Sequence, residues 1–301
     1  MLFFALINKL RMVMKCELCN SETLDISNYY QLSFHMLFKK LAYLLPEILL
    51  SLFKKNVFVK KILINKQYFN KKKVRCSSCD LGFVYPKFKT DDLNDYYKKQ
   101  YWEYRDRFEG SHLVNITNEP QFSDAQISLG QKRIEFIEKY IYDFNSVIDF
   151  GSGDCSASYL FKRMNKEVTA FDYSEKSREL CKKLGIHFES DISMLGRNDL
   201  IYSSHSLEHV ESLEDTLNIF LKDPISAKYL FFETPNIESI FIFNNLIHTP
   251  HTYMFNKRAF SQIAKKFNLK LLGFELCGGY WRGFKGHEKD SMSDIRVLLS
   301  K

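Results

Sequence analysis

The chain has 301 residues, of which 45% are hydrophobic and 15% aromatic, and it carries a formal net charge of +7. That composition excludes a disordered chain, and the length allows one large domain with an appendage. A secretory signal peptide is not expected, because Asn8, Lys9 and Arg11 break the apolar N-terminus and no small-residue cleavage site follows.

The segment MKCELC begins at Met14, which reads as an internal start and makes residues 1–13 an expected non-native leader. Seven cysteines are present, at positions 16, 19, 76, 79, 155, 181 and 277. Cys16 and Cys19 form one C-x-x-C pair and Cys76 and Cys79 a second, each able to present two thiolates to one tetrahedral metal. Four soft thiolates favour zinc and leave no open position for water, so the expected zinc is structural. The odd cysteine count argues against a disulfide framework and for a reducing, cytoplasmic setting.

Between the two pairs lies a basic, apolar insertion, residues 33–75. It holds ten lysines, one arginine and the single acid Glu47, for a net +10 within a chain whose total is +7. Phe34, Leu37, Phe38, Leu41, Leu44 and Leu45 share one helical face, and after Pro46 come Ile48, Leu49, Leu52 and Phe53. Neither stretch approaches the roughly 20 residues that span a bilayer. Two readings stay open: a helical hairpin lying on an anionic membrane at the inner face, or a helical subdomain packed on the main domain with solvated lysines. Nucleic acid is a weaker fit, because the segment is too greasy for a surface that tracks phosphates.

Residues 101–124 are polar and read as a linker or a lid. FSDAQISLGQKRIEFIEKYI then reads as an amphipathic helix with Ile127, Ile134, Ile137 and Ile141 inward. It feeds the most informative stretch, VIDFGSGD, from Val147 to Asp154. SVIDF reads as a buried strand, Gly151 and Gly153 as a tight turn, SASYLFKRM as a helix and VTAFD as the next strand. Asp172 ends that strand about 20 residues after the first glycine, where a βαβ nucleotide-binding unit places its ribose-binding acid.

Asp149 stands two residues before Gly151, and Ser156 takes the place of a third glycine. The pattern D-x-G-x-G resembles motif I of the class I methyltransferases that use S-adenosylmethionine, and the resemblance runs over about residues 125–301. Asp172 then resembles the acid that holds both ribose hydroxyls, and Asp191 in HFESDIS the acid near the adenine amino group. NDLIYSSHSLEHVESLED is similar to the family's fourth strand and its L-E-H loop, YLFFETPN to its fifth strand, and HTYMFNKRAFSQIAKKFNLKLLGFE to the segment before its sixth. LKLLGFEL and DIRVLLS are expected as an antiparallel edge pair. The chain departs from the pattern where DPISAK replaces a P-G-G turn and where bulky Cys155 follows the glycines. The fold implied is α/β, a doubly wound and mostly parallel seven-stranded sheet behind an N-terminal zinc ribbon, with the ribbon at 14–100 and the methyltransferase domain at 125–301.

Methyl transfer from a sulfonium is an in-line displacement that requires a cofactor cradle and, for a hydroxyl or amine acceptor, a base. The resemblance assigns the cradle to Asp149, Gly151, Gly153, Asp172 and Asp191. The candidate bases are His205 and His209, on the loop leaving strand four, with Glu208 orienting a neighbour. His251 and Tyr253, in HTPHTY with His248, resemble the segment lining the acceptor side. CSSCDLGFVYP, leading to Tyr96, Tyr97, Tyr101 and Trp102, is similar to the zinc-ribbon head that precedes methyltransferase domains in bacterial polysaccharide and sugar-modifying enzymes. The expected reaction is therefore methylation of a small molecule or glycan, chiefly O-methylation of a sugar, with C-methylation also open. RNA methylation is the alternative enzyme reading; SSHS after strand four stands against it, where base-amine enzymes carry D/N-P-P-Y. A non-catalytic zinc-ribbon scaffold is the third, opposed by the intact glycines and Asp172.

Overall fold

In the computed structural model of the chain, residues 14–28, 71–88, 93, 97, 98, 122–238, 251–278 and 292–301 are described. The expected leader 1–13, the insertion as far as residue 70, the linker or lid up to residue 121, and Tyr96, Tyr101, Trp102 and His248 lie outside the described residues.

Strands β1 (Leu24–Asn28), β2 (Lys72–Cys76) and β3 (Gly82–Tyr85) form an antiparallel ribbon. Helix α1 (Asp124–Glu138) opens with a reciprocal capping box between Ser123 and Gln126 and leads into β4 (Ser146–Phe150). Alternation then follows through α2 (Ser156–Arg163), β5 (Glu167–Phe171), α3 (Glu175–Leu184), β6 (His187–Glu189), β7 (Leu200–Ser204), α4 (Leu213–Leu221) and β8 (Tyr229–Pro235). β9 (Tyr253–Met254), α5 (Lys257–Lys266), β10 (Lys270–Cys277) and β11 (Asp294–Ser300) complete the chain. Side-chain caps from Ser174, Ser212 and Asn256 start α3, α4 and α5, and Gly185, at φ 62°, ends α3 in the left-handed region.

The main sheet has the order β10-β11-β8-β7-β4-β5-β6. β6, β5, β4, β7 and β8 run parallel, whereas β11 is antiparallel both to β8 and to β10. The last two strands therefore pair as expected, with the final one inserted between its predecessor and β8. Strand order reverses at β4, which opens a crevice beyond its carboxyl end, where open α/β sheets bind ligands.

Residues of successive strands alternate between two apolar layers, as a doubly wound sheet requires. Val147, Tyr202 and Phe231 face Phe136 of α1, Phe161 of α2 and Leu180 of α3. Ile148, Phe150, Ile201 and Phe232 face Leu217 and Phe220 of α4 and Phe260 and Ile263 of α5. Each fully buried phenylalanine contributes roughly 1.5–3 kcal/mol by leaving water.

The ribbon belongs to this second layer. Cys16, Val74, Cys76, Cys79, Leu81 and Phe83 share the cluster with Phe220 and Phe260. β9 pairs antiparallel with β3, matching Gly82 to Met254 and Phe83 to Tyr253, so a late segment of the chain completes the ribbon sheet. Arg258 and Lys266 of α5 add polar ties to Asp80 and to the Glu17 carbonyl.

Candidate active site

The turn after β4 is built from backbone that only glycine adopts easily. Gly151 and Gly153 have φ of 77° and 51°. They differ in what surrounds them. A Cβ on Gly151 would lie 1.9 Å from the Ser206 hydroxyl oxygen, whereas one on Gly153 would meet nothing closer than 3.9 Å. Gly151 is thus glycine because the loop after β7 packs on it; Gly153 leaves open space for a ligand.

Asp172, at the end of β5, closes the turn from the other side. Its Oδ2 accepts a hydrogen bond from the Gly153 N–H at 2.9 Å and its Oδ1 one from the Ser174 N–H at 2.9 Å. Burial raises its pKa against the lowering effect of those N–H groups. Asp191 follows β6 on the exposed surface, caps a short 3₁₀ turn through the Ser193 N–H and hydroxyl, and has a pKa lowered by them. Tyr173, next to Asp172 and not anticipated, packs edge-on against Phe171 and stays 39% exposed.

Asp149 points beneath the turn. Its Oδ2 accepts from the Ser158 N–H at 3.1 Å and from the Ser158 hydroxyl at 2.5 Å, which ties β4 to α2. Burial, reinforced by Asp154 and Asp172, lifts its pKa to about 7. Asp149 therefore braces the turn from below. Gln126 Nε2 donates to Asp154 at 2.8 Å and fixes the start of α1 to the same loop. Cys155, left-handed at φ 59°, is fully buried with its Sγ against Cys181, so its bulk points away from the open face. The bare turn, the α2 N-terminus and the Asp172 carboxylate together fit a nucleoside cofactor with a carboxylate tail.

Across the crevice, the loop leaving β7 carries His205, Glu208 and His209, and His251 joins them. Glu208 is 1% exposed, and neither of its carboxylate oxygens accepts a hydrogen bond. Oε1 lies 3.5 Å from His205 Nδ1 and 3.6 Å from His209 Nε2. The rings of His209 and His251 are 4.7 Å apart, and Tyr97 packs edge-on to His209 at 5.4 Å. Burial would raise the Glu208 pKa, but the imidazoles of His209, His205 and His251 outweigh it and lower it. Burial, with the charge of His209, lowers His251 to about 3.

His205 departs from its expected role as base. Its Nε2 faces Glu233 at 3.3 Å and Asp294 at 3.8 Å while Nδ1 faces Glu208. Burial opposes protonation, yet these carboxylates overcome it and raise the pKa to about 10. At neutral pH the ring is an imidazolium locked between acids and has no lone pair to offer. Tyr253 is a second correction. It was expected on the acceptor side, but it is fully buried, its hydroxyl donating to the Glu211 carbonyl at 3.0 Å and accepting from the Leu213 N–H at 3.2 Å.

The residue missed in the sequence is Glu233, near the carboxyl end of β8. It is fully buried, receives Arg133 Nε on Oε1 at 2.8 Å and Arg296 Nε on Oε2 at 2.6 Å, and also neighbours His205. Its pKa lies well below the ordinary value because Arg133 and His205 outweigh burial. The signal was present: FFETP sets Glu233, and DIRVLLS sets Asp294 and Arg296, among apolar strand residues, and β8 and β11 place Glu233 directly opposite Arg296.

The four N-terminal cysteines converge on two matching knuckles. Asn20 and Asp80, both left-handed, follow the C-x-x-C pairs, and their N–H groups return to the Cys16 and Cys76 carbonyls at 2.7 and 2.8 Å. Cys16 Sγ lies 3.6 Å from Cys79 Sγ, and Cys19 Sγ 3.5 Å from Cys76 Sγ; all four lie within 4.8 Å of one another. Tetrahedral zinc with bonds of about 2.3 Å needs sulfurs about 3.8 Å apart, so the donor set fits a structural ion.

Residues 123–273 match the family described as methyltransferase domain. Among solved structures, the chain is similar to the magnesium protoporphyrin IX methyltransferase of Synechocystis with bound S-adenosylhomocysteine, at 13% identity and a TM-score of 0.47 over 69% of this chain and 97% of that one. It is similar to an S-adenosylmethionine-dependent methyltransferase of Archaeoglobus fulgidus at 18% identity, TM-score 0.45, over 67% and 100%. A Thermotoga maritima S-adenosylmethionine-dependent methyltransferase gives 13%, 0.47, 66% and 99%. No curated protein matches the chain.

Proposed function

The chain belongs to the methyltransferase domain family, and on that premise we propose that it methylates a hydroxyl of a small molecule or glycan, chiefly a sugar of a surface polysaccharide or its lipid-linked precursor. The enzyme is an S-adenosylmethionine-dependent methyltransferase of the class I fold; the acceptor and the residue roles are what is proposed.

One contact carries the reading. Ser206 Oγ donates to the Gly151 carbonyl at 3.4 Å, so the loop bearing His205, Glu208 and His209 touches the glycine turn itself. The contact supports a donor cradle and proton-handling groups on two sides of one crevice, the pre-organisation an in-line displacement needs. S-Adenosylmethionine supplies an electrophilic methyl group on a sulfonium. Gly153 gives its open face, Asp172 receives ribose hydroxyls, Asp191 lies toward the base, and the α2 N-terminus favours the carboxylate. The acceptor hydroxyl is oriented by the cluster around Glu208 and passes its proton to His209, whose ring stands 3.6 Å from the Glu208 carboxylate that would pair with the resulting imidazolium.

The sugar assignment rests on the likeness of the zinc ribbon to heads of sugar-modifying enzymes. The basic insertion, net +10 over residues 33–75, supports peripheral binding at the inner face of an anionic membrane, where lipid-linked precursors reside. No described helix is long and apolar enough to cross a membrane. The thiol chemistry of the ribbon supports a reducing, cytoplasmic setting.

The test is release of S-adenosylhomocysteine with nucleotide sugars or polysaccharide fragments as acceptors, with product methyl ethers identified by mass spectrometry. The proposal predicts turnover that depends on the carbohydrate. Turnover with RNA instead, or methylation only at nitrogen, would overturn it.

A further inference from the structure

Beyond the four-cysteine knuckles, the described residues bring together a second metal-ligating group. Glu208, His209 and His251 each offer one ligand atom, and these atoms all lie within 4.8 Å of one another. Glu208 is buried to 1% exposure with no hydrogen bond to either oxygen; the His205 imidazolium offsets its charge from 3.5 Å on the Oε1 side, and Oε2 is left with no donor of its own. The neighbouring imidazoles stand at 3.5 and 3.6 Å, beyond a short charge-assisted bond.

We propose that Glu208, His209 and His251 form a binding site for a borderline divalent cation of the zinc type, distinct from the ribbon ion. Two imidazole nitrogens and one carboxylate oxygen make a three-protein-ligand set that leaves coordination positions open, whereas the four-thiolate set of the ribbon is closed. His209 and Glu208 come from the 3₁₀ turn Leu207–His209 and His251 from the segment entering β9. The Thr252 N–H donates to the Glu208 carbonyl at 2.8 Å and holds these two segments in register. Because the loop also touches the glycine turn through Ser206, an ion here would lie beside the crevice and would take an acceptor hydroxyl oxygen as a further ligand, lowering the hydroxyl's pKa so that its proton passes to solvent instead of to His209. That use of the ion rests on the proposed hydroxyl methylation; its binding does not.

The test is cobalt(II) loading of the metal-stripped full-length protein, read as bound equivalents per chain and by proton NMR. The expected result is two equivalents and paramagnetically shifted, solvent-exchangeable imidazole N–H signals, which a four-thiolate site cannot give. Glu208→Gln and, separately, His251→Asn should each reduce binding to one equivalent and abolish those signals, with circular dichroism confirming the fold. One equivalent in the wild-type protein without shifted imidazole signals, or two equivalents retained in both folded variants, would overturn the proposal. S-Adenosylmethionine titrated into the same samples separates the two readings: cofactor binding without a second ion defeats the metal site and leaves the methyltransferase reading standing.

Discussion

Asp172 Oδ2 accepts the Gly153 N–H at 2.9 Å, joining the acid at the end of β5 to the glycine turn after β4. One carboxylate thus shapes the backbone of the turn, with its other oxygen accepting the Ser174 N–H at 2.9 Å. On the proposed cofactor site, that side chain would couple the geometry of the turn to ribose recognition.

The two glycines of the turn should respond differently to alanine. Either change places a side chain at positive φ and costs about 1–2 kcal/mol. Gly151→Ala also drives a methyl into Ser206, so it should lower the unfolding midpoint much further. Gly153→Ala should stay near the strain cost in stability yet weaken S-adenosylmethionine binding tenfold or more. Thermal melts and calorimetry on the pair check this.

Asp149 makes stability fall as pH rises. Its folded pKa of about 7 lies above the ordinary carboxylate value, so the folded state holds a proton that the unfolded chain releases. The stabilisation is complete below about pH 4 and is lost as pH rises through 7. Over those three units the wild-type protein should lose on the order of 4 kcal/mol relative to Asp149→Asn. Urea unfolding of both proteins at several pH values measures the difference.

Removing the Glu233 carboxylate leaves Arg133 and Arg296 without their shared counter-charge. Glu233→Gln should cost about 3–5 kcal/mol by denaturant unfolding. The same variant should lower the His205 pKa from about 10, since Glu233 is one of the acids that hold the proton there. An NMR titration of His205 reads that shift.

For the ribbon, Cys76→Ser should release the thiolate-bound ion and lower stability. The loss should extend beyond the knuckles, because Cys76 lies in the same apolar cluster as Phe220 and Phe260. Elemental analysis and thermal melts check it; full zinc content with an unchanged midpoint would remove the four-thiolate claim.

Much of the main sheet was legible because its strands are apolar runs bounded by turns. SVIDF became β4 to the residue, and the glycines, Asp172 and the L-E-H loop fell at the crevice. What was not legible depends on long-range pairing. That β9 completes the ribbon sheet rests on Tyr253 meeting Phe83 across 170 positions, so HTPHTY read as an acceptor wall when its tyrosine is core. His205 read as a base because its partners Glu233 and Asp294 lie on other strands, and one-dimensional spacing carries no sign of the acids around a ring. Asp149 read as a ligand for the cofactor, whereas its carboxylate is held by Ser158, nine residues onward in the first turn of α2.

This crevice should bind S-adenosylmethionine through Asp172. Calorimetric titration of the wild-type protein and Asp172→Ala tests it most directly. Saturable one-to-one binding is expected, weakened about a hundredfold in a variant that still folds, because two charge-assisted hydrogen bonds to ribose are lost. No binding to the wild-type protein, or equal affinity in both, would contradict it.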